Sequence, residues 1–534
     1  MKFSLFKVYS RAATVELITD TRFAAPEGIE VFLNGERIEA PATNVFTLFS
    51  LTPATEYELT VKGPEGLTDS ASFFTAEESA FINVKDIGAA GDGKTDDTES
   101  ISAAIAMCPE GGTVYVPAGE YLVRPLFMKS HMTLYLGEGA RLIASADQAA
   151  YPLLPGVVRK TEDWNSEFCF GSWEGNPLDQ YASLITALKV SDFSLIGQGT
   201  LDGNGQAGGW WKDPKHRHGA WRPNVVFLND CRNVSLCGVT VKNSPCWTIH
   251  PYYSDDVDIV NVKIENPDDS PNTDGIDPQS CRRVRIVGTK ISVGDDCIAI
   301  KSGKLYMAHA HFRRTENIEV RNCFFERGHG GVTIGSEAAC GVSDVRVTKS
   351  VFKDTDRGLR IKTRRGRGEK SLLTGIDFHD LTMDGVRMPF TVNMFYFCDP
   401  DGHSSYVQDQ TIRPVDSMTP SIGSIRISDV DIENADVVTA CIYGLPEKPV
   451  SSVEIEDVTV SYRPVSERTP GLPVMMDGFP EMSGQSLFMN NVNHLLIRNL
   501  KICGEAIGEP ELLHIGEQEV DGLYISHEAE VKTA

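Results

Sequence analysis

Four short segments carry residues whose types and spacing could do chemistry. The first is Asn272-Thr273-Asp274-Gly275-Ile276-Asp277 and the second is Gly294-Asp295-Asp296-Cys297-Ile298-Ala299-Ile300-Lys301-Ser302-Gly303. The third is Gly328-His329-Gly330-Gly331-Val332-Thr333-Ile334-Gly335-Ser336 and the fourth is Arg360-Ile361-Lys362. Asp295 and Asp296 are adjacent carboxylates, and like charges that close raise at least one carboxyl pKa. An acid kept protonated beside an ionised base is the minimal equipment for cleaving a glycosidic bond. Arg360 and Lys362, two apart on a strand, share a face and offer a planar fork and a point charge to a carboxylate. Glycines flank His329, which suits a position where substrate or backbone comes close. On residues alone a polar turn competes with this reading, as does a calcium loop. Ser270-x-Asn272-x-Asp274-Gly275 partly mimics an EF-hand, but its first position is Ser270 and its twelfth is Cys281 instead of glutamate.

Other candidates are weaker. His216-Arg217-His218 and His309-Ala310-His311 have no cysteine or carboxylate at standard metal spacing, so no metal and no cofactor is expected. Cys297 has no partner histidine at a known nucleophile spacing. Trp210, Trp211 and Trp221 fit either packing or a sugar platform.

The elements that must position these residues form a repeat. From about residue 82, alternating apolar residues, a bend and a polar turn recur. Copies begin at Asn233, Asp256, Arg283, Asn317, Asp344 and Gly375, 23 to 34 residues apart, with later ones at Ser424, Ser452 and His494. No copy is long enough to bury its own apolar face, whereas stacked coils bury one another's, as in a parallel β-helix. Equivalent positions of successive coils stack about 4.8 Å apart, so residues distant in sequence can line one groove. Residues 1–78 read as a separate small β-sandwich and 79–534 as the solenoid. The hairpin signal Asn34-Gly35 and the stretch Leu51 to Val61, which resembles the tyrosine corner of fibronectin type III domains, support the division.

Composition narrows the function classes. The formal net charge of the 534 residues is -24, which disfavours nucleic acid as a partner. No apolar run reaches the roughly 20 residues that span a bilayer, so no membrane partner is expected. The absence of a recognisable signal peptide and the scattered cysteines, read as free thiols, lead to an expectation of a cytoplasmic protein. One basic run stands out: seven Lys or Arg between Arg357 and Lys370 against one Glu369. It reads either as a solvated turn or as a local site for an acidic polymer.

The four segments, in this order, resemble the signatures of the polygalacturonases, inverting glycoside hydrolases of family 28. The resemblance spans roughly residues 82–520. Its start, Gly88-Ala89-Ala90-Gly91-Asp92-Gly93-Lys94-Thr95-Asp96-Asp97-Thr98, looks like the N-terminal cap of pectin-degrading solenoids, making Asp92, Asp96 and Asp97 turn residues. It implies an all-β fold, a right-handed parallel β-helix of the pectin-lyase type, acting on polygalacturonate or oligogalacturonides. It implies Asp295 as general acid, Asp274 and Asp296 as activators of water, and His329 as the residue that tunes the acid. Arg360 and Lys362 would bind the galacturonate carboxylate, with Asn272 in support. An inverting pair of carboxyls is expected about 6.5–9.5 Å apart. Three long irregular stretches, Tyr151 to Tyr181, Gly205 to Pro223 and Lys304 to Arg314, are expected to wall one end of the groove or to pack on the N-terminal domain. The first arrangement gives exo action, with Arg313 and Arg314 meeting the terminal sugar. A rhamnogalacturonan hydrolase or a pectin lyase on the same fold is the alternative, and a non-catalytic carbohydrate-binding solenoid is a third.

Overall fold

The computed structural model describes residues 2–160 and 166–527; residues 161–165 of the first insertion and the last seven of the solenoid segment lie outside them. Residues 2–74 form two antiparallel sheets. Lys2–Val8, Ala12–Ile18 and Val45–Phe49 make one, and Glu30–Leu33, Glu36–Ile38, Glu56–Lys62 and Thr68–Phe74 make the other. Their inner faces share a core of Val15, Leu17, Val31, Leu59, Val61 and Phe73. At the corner, the Tyr57 hydroxyl accepts a hydrogen bond from the Thr52 amide at 2.9 Å.

From Phe81–Asn83 onward the chain winds into a parallel β-helix, strand stacked on strand with parallel pairing from coil to coil. The repeat starts at Asn233, Asp256, Arg283, Asn317, Asp344 and Gly375 all take positive φ, between 50° and 66°. They form a stacked ladder of left-handed residues that turns the chain at the same place in every coil. Asn, Asp and Gly tolerate that region best, which is why the starts are visible in the sequence. Inside, aliphatic residues of successive coils, among them Val234, Val257, Val284, Ile318 and Val345, make one continuous core. The helix Thr98–Met107 closes the first coil by burying Ile101, Ala104 and Ile105 in that core. Asp97 accepts bonds from Ala90 and Gly91, and Asp96 from Thr98, so these aspartates are turn and cap residues.

The sandwich lies against the column of strands that includes Arg232–Cys237 and Thr315–Arg321. Glu16 pairs with Arg321 at 2.7 Å, Arg22 with Asp380 at 2.8 Å and Lys7 with Asp258 at 3.1 Å. The candidate site belongs to a different column: Ile249–Tyr252, Asp296–Ile300, Gly330–Gly335, Arg357–Lys362 and Met388–Asn393.

Candidate active site

The site column is built by register. Gly330 lies beside Asp296, Arg360 beside Thr333, and Lys362 beside Gly335. Leu359 and Ile361 enter the core, which turns Arg360 and Lys362 outward together. At the head of Asp296–Ile300 the alternation breaks. Cys297 and Ile298 both join the core, and that bend leaves Asp295 and Asp296 outside it. Two glycines make room. A Cβ on Gly275 would lie 2.4 Å from the Cys297 carbonyl oxygen, and one on Gly330 would lie 2.8 Å from an Asp296 carboxylate oxygen.

These constraints bring Asp274, Asp295 and Asp296 together. Their nearest carboxylate oxygens lie within 4.8 Å of one another. That is closer than the separation of about 6.5–9.5 Å expected for two carboxyls on opposite faces of a sugar. The nearest oxygens of the cluster therefore do not show the expected spacing. Arg360 donates to Asp296 at 3.0 Å and Lys362 donates to its other oxygen at 2.8 Å. His329 Nδ1 stands 3.2 Å from Asp295 Oδ1. Asn272 accepts from Arg222 at 2.7 Å. The surrounding cavity of about 250 Å³ is also lined by Trp247, Lys301, Glu337, Tyr396, Asp399 and Met475.

Burial and charge divide the carboxyls. Burial raises Asp296, but Lys362 and Arg360 outweigh it and hold this carboxyl well below its ordinary range. Burial and then the neighbouring Asp295 push Asp274 up to about 7. Asp277 is raised well above its usual value by burial and by Asp274 beside it. Asp295 is raised by burial, yet its bond to His329 leaves it below the ordinary value, and the same bond raises His329. The sequence argument anticipated a raised carboxyl here, and the raised groups are Asp274 and Asp277. The Asp295–His329 contact thus favours the carboxylate and the imidazolium.

The basic run is a buried array instead of a solvated turn. Arg360, Arg364, Arg365 and Arg367 are all buried. Arg365 pairs with Glu447 at 2.6 Å, and Arg364 and Arg367 converge with Lys304 on Asp399. Arg313 and Arg314 do not line the cavity. Arg313 is tied to Asp255 and to the Tyr253 carbonyl, because the helix Leu305–Ala310 carries the chain away from the site before it is reached. Lys304, at the head of that helix, pairs at 2.9 Å with Asp399, which lines the cavity.

The three insertions interlock with one another. Trp173 stacks on Trp221 at 4.4 Å, and Arg222 lies over Trp173. Glu167 accepts from Tyr306 and contacts His311 at 2.7 Å. Trp210 packs among Tyr151 and Tyr181, and Trp211 donates to the Ser244 carbonyl. Trp247, which the sequence did not single out, is the tryptophan on the cavity wall. His216 contacts Asp213. Among the described residues, the one convergent group of carboxylates, histidines or cysteines with metal-like spacing is Asp274, Asp295 and Asp296. Arg360, Lys362 and Lys301 already compensate it. The Cys297 thiol is buried in the core and raised well above its ordinary value by that burial.

Comparison with known proteins gives the same picture. The profile of glycosyl hydrolases family 28 matches residues 163–473. A profile described as rhamnogalacturonase A/epimerase, pectate lyase-like, matches residues 81–152. A probable polygalacturonase of Vitis vinifera is 31% identical over 417 residues, covering 76% of this chain and 79% of the relative. An exopolygalacturonase of Zea mays is 27% identical, covering 73% of this chain and 85% of the relative. The solved structure of a family 28 exopolygalacturonase from Yersinia enterocolitica aligns with a TM-score of 0.64 at 18% identity, over 98% of each chain, and shares the fold. On the profile match and the Vitis relative together, the chain belongs to glycosyl hydrolases family 28 and is a glycoside hydrolase.

Proposed function

We propose that the protein hydrolyses the α-1,4 bonds of polygalacturonate or oligogalacturonides from a chain end, with inversion at the anomeric carbon. The observation that carries this reading is the clustering of Asp274, Asp295 and Asp296 beside Arg360 and Lys362. In this reading a galacturonate carboxylate takes donors of Arg360 and Lys362 not spent on Asp296. Asp274 and Asp296 orient and activate the attacking water. The proton that His329 shares with Asp295 passes back to the carboxylate, and Asp295 then delivers it to the leaving oxygen. Asn272, its oxygen held by Arg222, keeps its amide nitrogen for the substrate. The name of the maize relative agrees with exo action. So does the cavity, whose lining includes Glu174 and Lys215 from two of the long insertions. The N-terminal sandwich, with the Tyr57 corner bond, is read as a fibronectin type III-like domain.

Proton NMR of the first turnovers on a galacturonate oligomer tests the chemistry. Saturated sugars appearing first as the β-anomer are expected. An unsaturated product identifies a lyase, and an initial α-anomer identifies retention; either overturns the reading. A related expectation concerns metal. Three side-chain cations already balance the aspartates, so prior incubation with a chelator leaves kcat unchanged, as an activity assay with and without added calcium will show.

A further inference from the structure

Beside the three aspartates lies a second set of charges that the proposed reaction does not use. The Lys301 ammonium is buried 3.4 Å from Glu337, 3.5 Å from Asp277 and 3.6 Å from Asp274, above the Trp247 ring. Glu337 and Asp274 have further cations nearby, whereas among the described residues Asp277 has only the shared Lys301 within ion-pair distance, so a second buried negative charge beside Asp274 is relieved by a proton. Asp277 is its natural holder. Its side chain is fully buried, and among the described residues neither carboxyl oxygen accepts a hydrogen bond. Its neighbour is the Asp274 carboxylate, to which it can donate only when protonated.

We propose that Lys301, anchored by Glu337, is a positioning residue that keeps Asp274 ionised and in place as the base for water, while Asp277 holds the proton of the cluster. This inference rests on the reading of Asp274 as the base. The other charges around Asp274 are accounted for. Asp295 and Asp296 disfavour its ionisation, and Lys362 favours it. Glu337 is in turn held low, at about 2, by Lys301, Lys304, Arg367 and Lys362 against the effect of its burial. His250, on the neighbouring strand, is pushed by burial to about 3 and adds no charge near neutrality. Of the cations near Asp274, Lys301 is the one that bridges it to both Asp277 and Glu337.

The test is the pH profile of kcat/KM on a galacturonate oligomer for the wild type, Lys301→Met, Lys301→Arg, Glu337→Gln and Asp274→Asn. A base must be ionised to act, so the acid limb follows Asp274. Removing the cation in Lys301→Met makes Asp274 harder to ionise and moves that limb to higher pH, by about 1–3 units. Glu337→Gln removes a competing carboxylate, concentrates Lys301 on Asp274 and moves the limb to lower pH. Lys301→Arg keeps the charge and returns the limb toward the wild-type position. Near-normal turnover in Asp274→Asn means that the reading of Asp274 as base fails. An inactive Asp274→Asn, with the limbs of Lys301→Met and Glu337→Gln unmoved or moved in one direction, overturns the positioning role alone. Should Lys301→Met not fold, Glu337→Gln decides: a downward limb supports the inference, and an unmoved or upward limb overturns it.

Discussion

Asp295→Asn lowers kcat on polygalacturonate by about 10²–10⁴-fold, the usual contribution of a positioned acid, and leaves the fold intact. The amide is close to isosteric, Asp295 is 23% exposed and the His329 it faces is half-exposed, so no fully buried charge is stranded by the change. Asparagine can still meet His329, but it cannot hand a proton to a leaving oxygen. Steady-state kinetics with a thermal melt of the same preparation check both halves of this expectation. Wild-type turnover in a folded Asp295→Asn would remove Asp295 from the acid role.

Lys362→Ala acts through two partners at once. Lys362 donates to Asp296 at 2.8 Å and lines the cavity where a galacturonate carboxylate would sit. Truncation leaves Asp296 with Arg360 alone, and the loss of one partner from a buried pair typically costs about 3–5 kcal/mol of stability. The lost charge-assisted bond to substrate, at about 1.5–3 kcal/mol, lowers kcat/KM by at least about tenfold beyond any effect on folding. Asp296, relieved of one of the cations that hold it down, becomes easier to protonate. Activity therefore falls further as the pH is lowered. An unchanged kcat/KM across pH would show that the carboxylate is bound elsewhere.

The positions most legible in the sequence are those set by the coil itself. The left-handed residues Asn233, Asp256, Asn317 and Asp344 recur because few side chains tolerate that conformation, so the coil boundaries could be read directly. Once coils stack, Asp274, Asp295, Asp296, His329, Arg360 and Lys362 converge by register alone. What could not be read depends on which charges meet in space. Lys301 sits inside the segment from Gly294 to Gly303, yet only its three carboxylate neighbours reveal its importance. Glu337 lies just past the third motif with no local signal. Arg313 and Arg314 carry the right charge but point elsewhere, because the short helix before them redirects the chain. The insertions were visible as irregular stretches. That they lock together through Trp173, Trp221 and Arg222, away from the sandwich, follows from side-chain packing that no local pattern encodes.

The most direct test of the account is the product distribution from polygalacturonate, followed by chromatography from the first minutes of digestion. A catalytic cluster in a cavity that two of the insertions help to line predicts a single short product, monomer or dimer, from the first time point. Solution viscosity should fall only slowly as that product accumulates. A rapid loss of viscosity with a ladder of mid-sized oligomers, or no release of reducing ends by the folded enzyme, would contradict it.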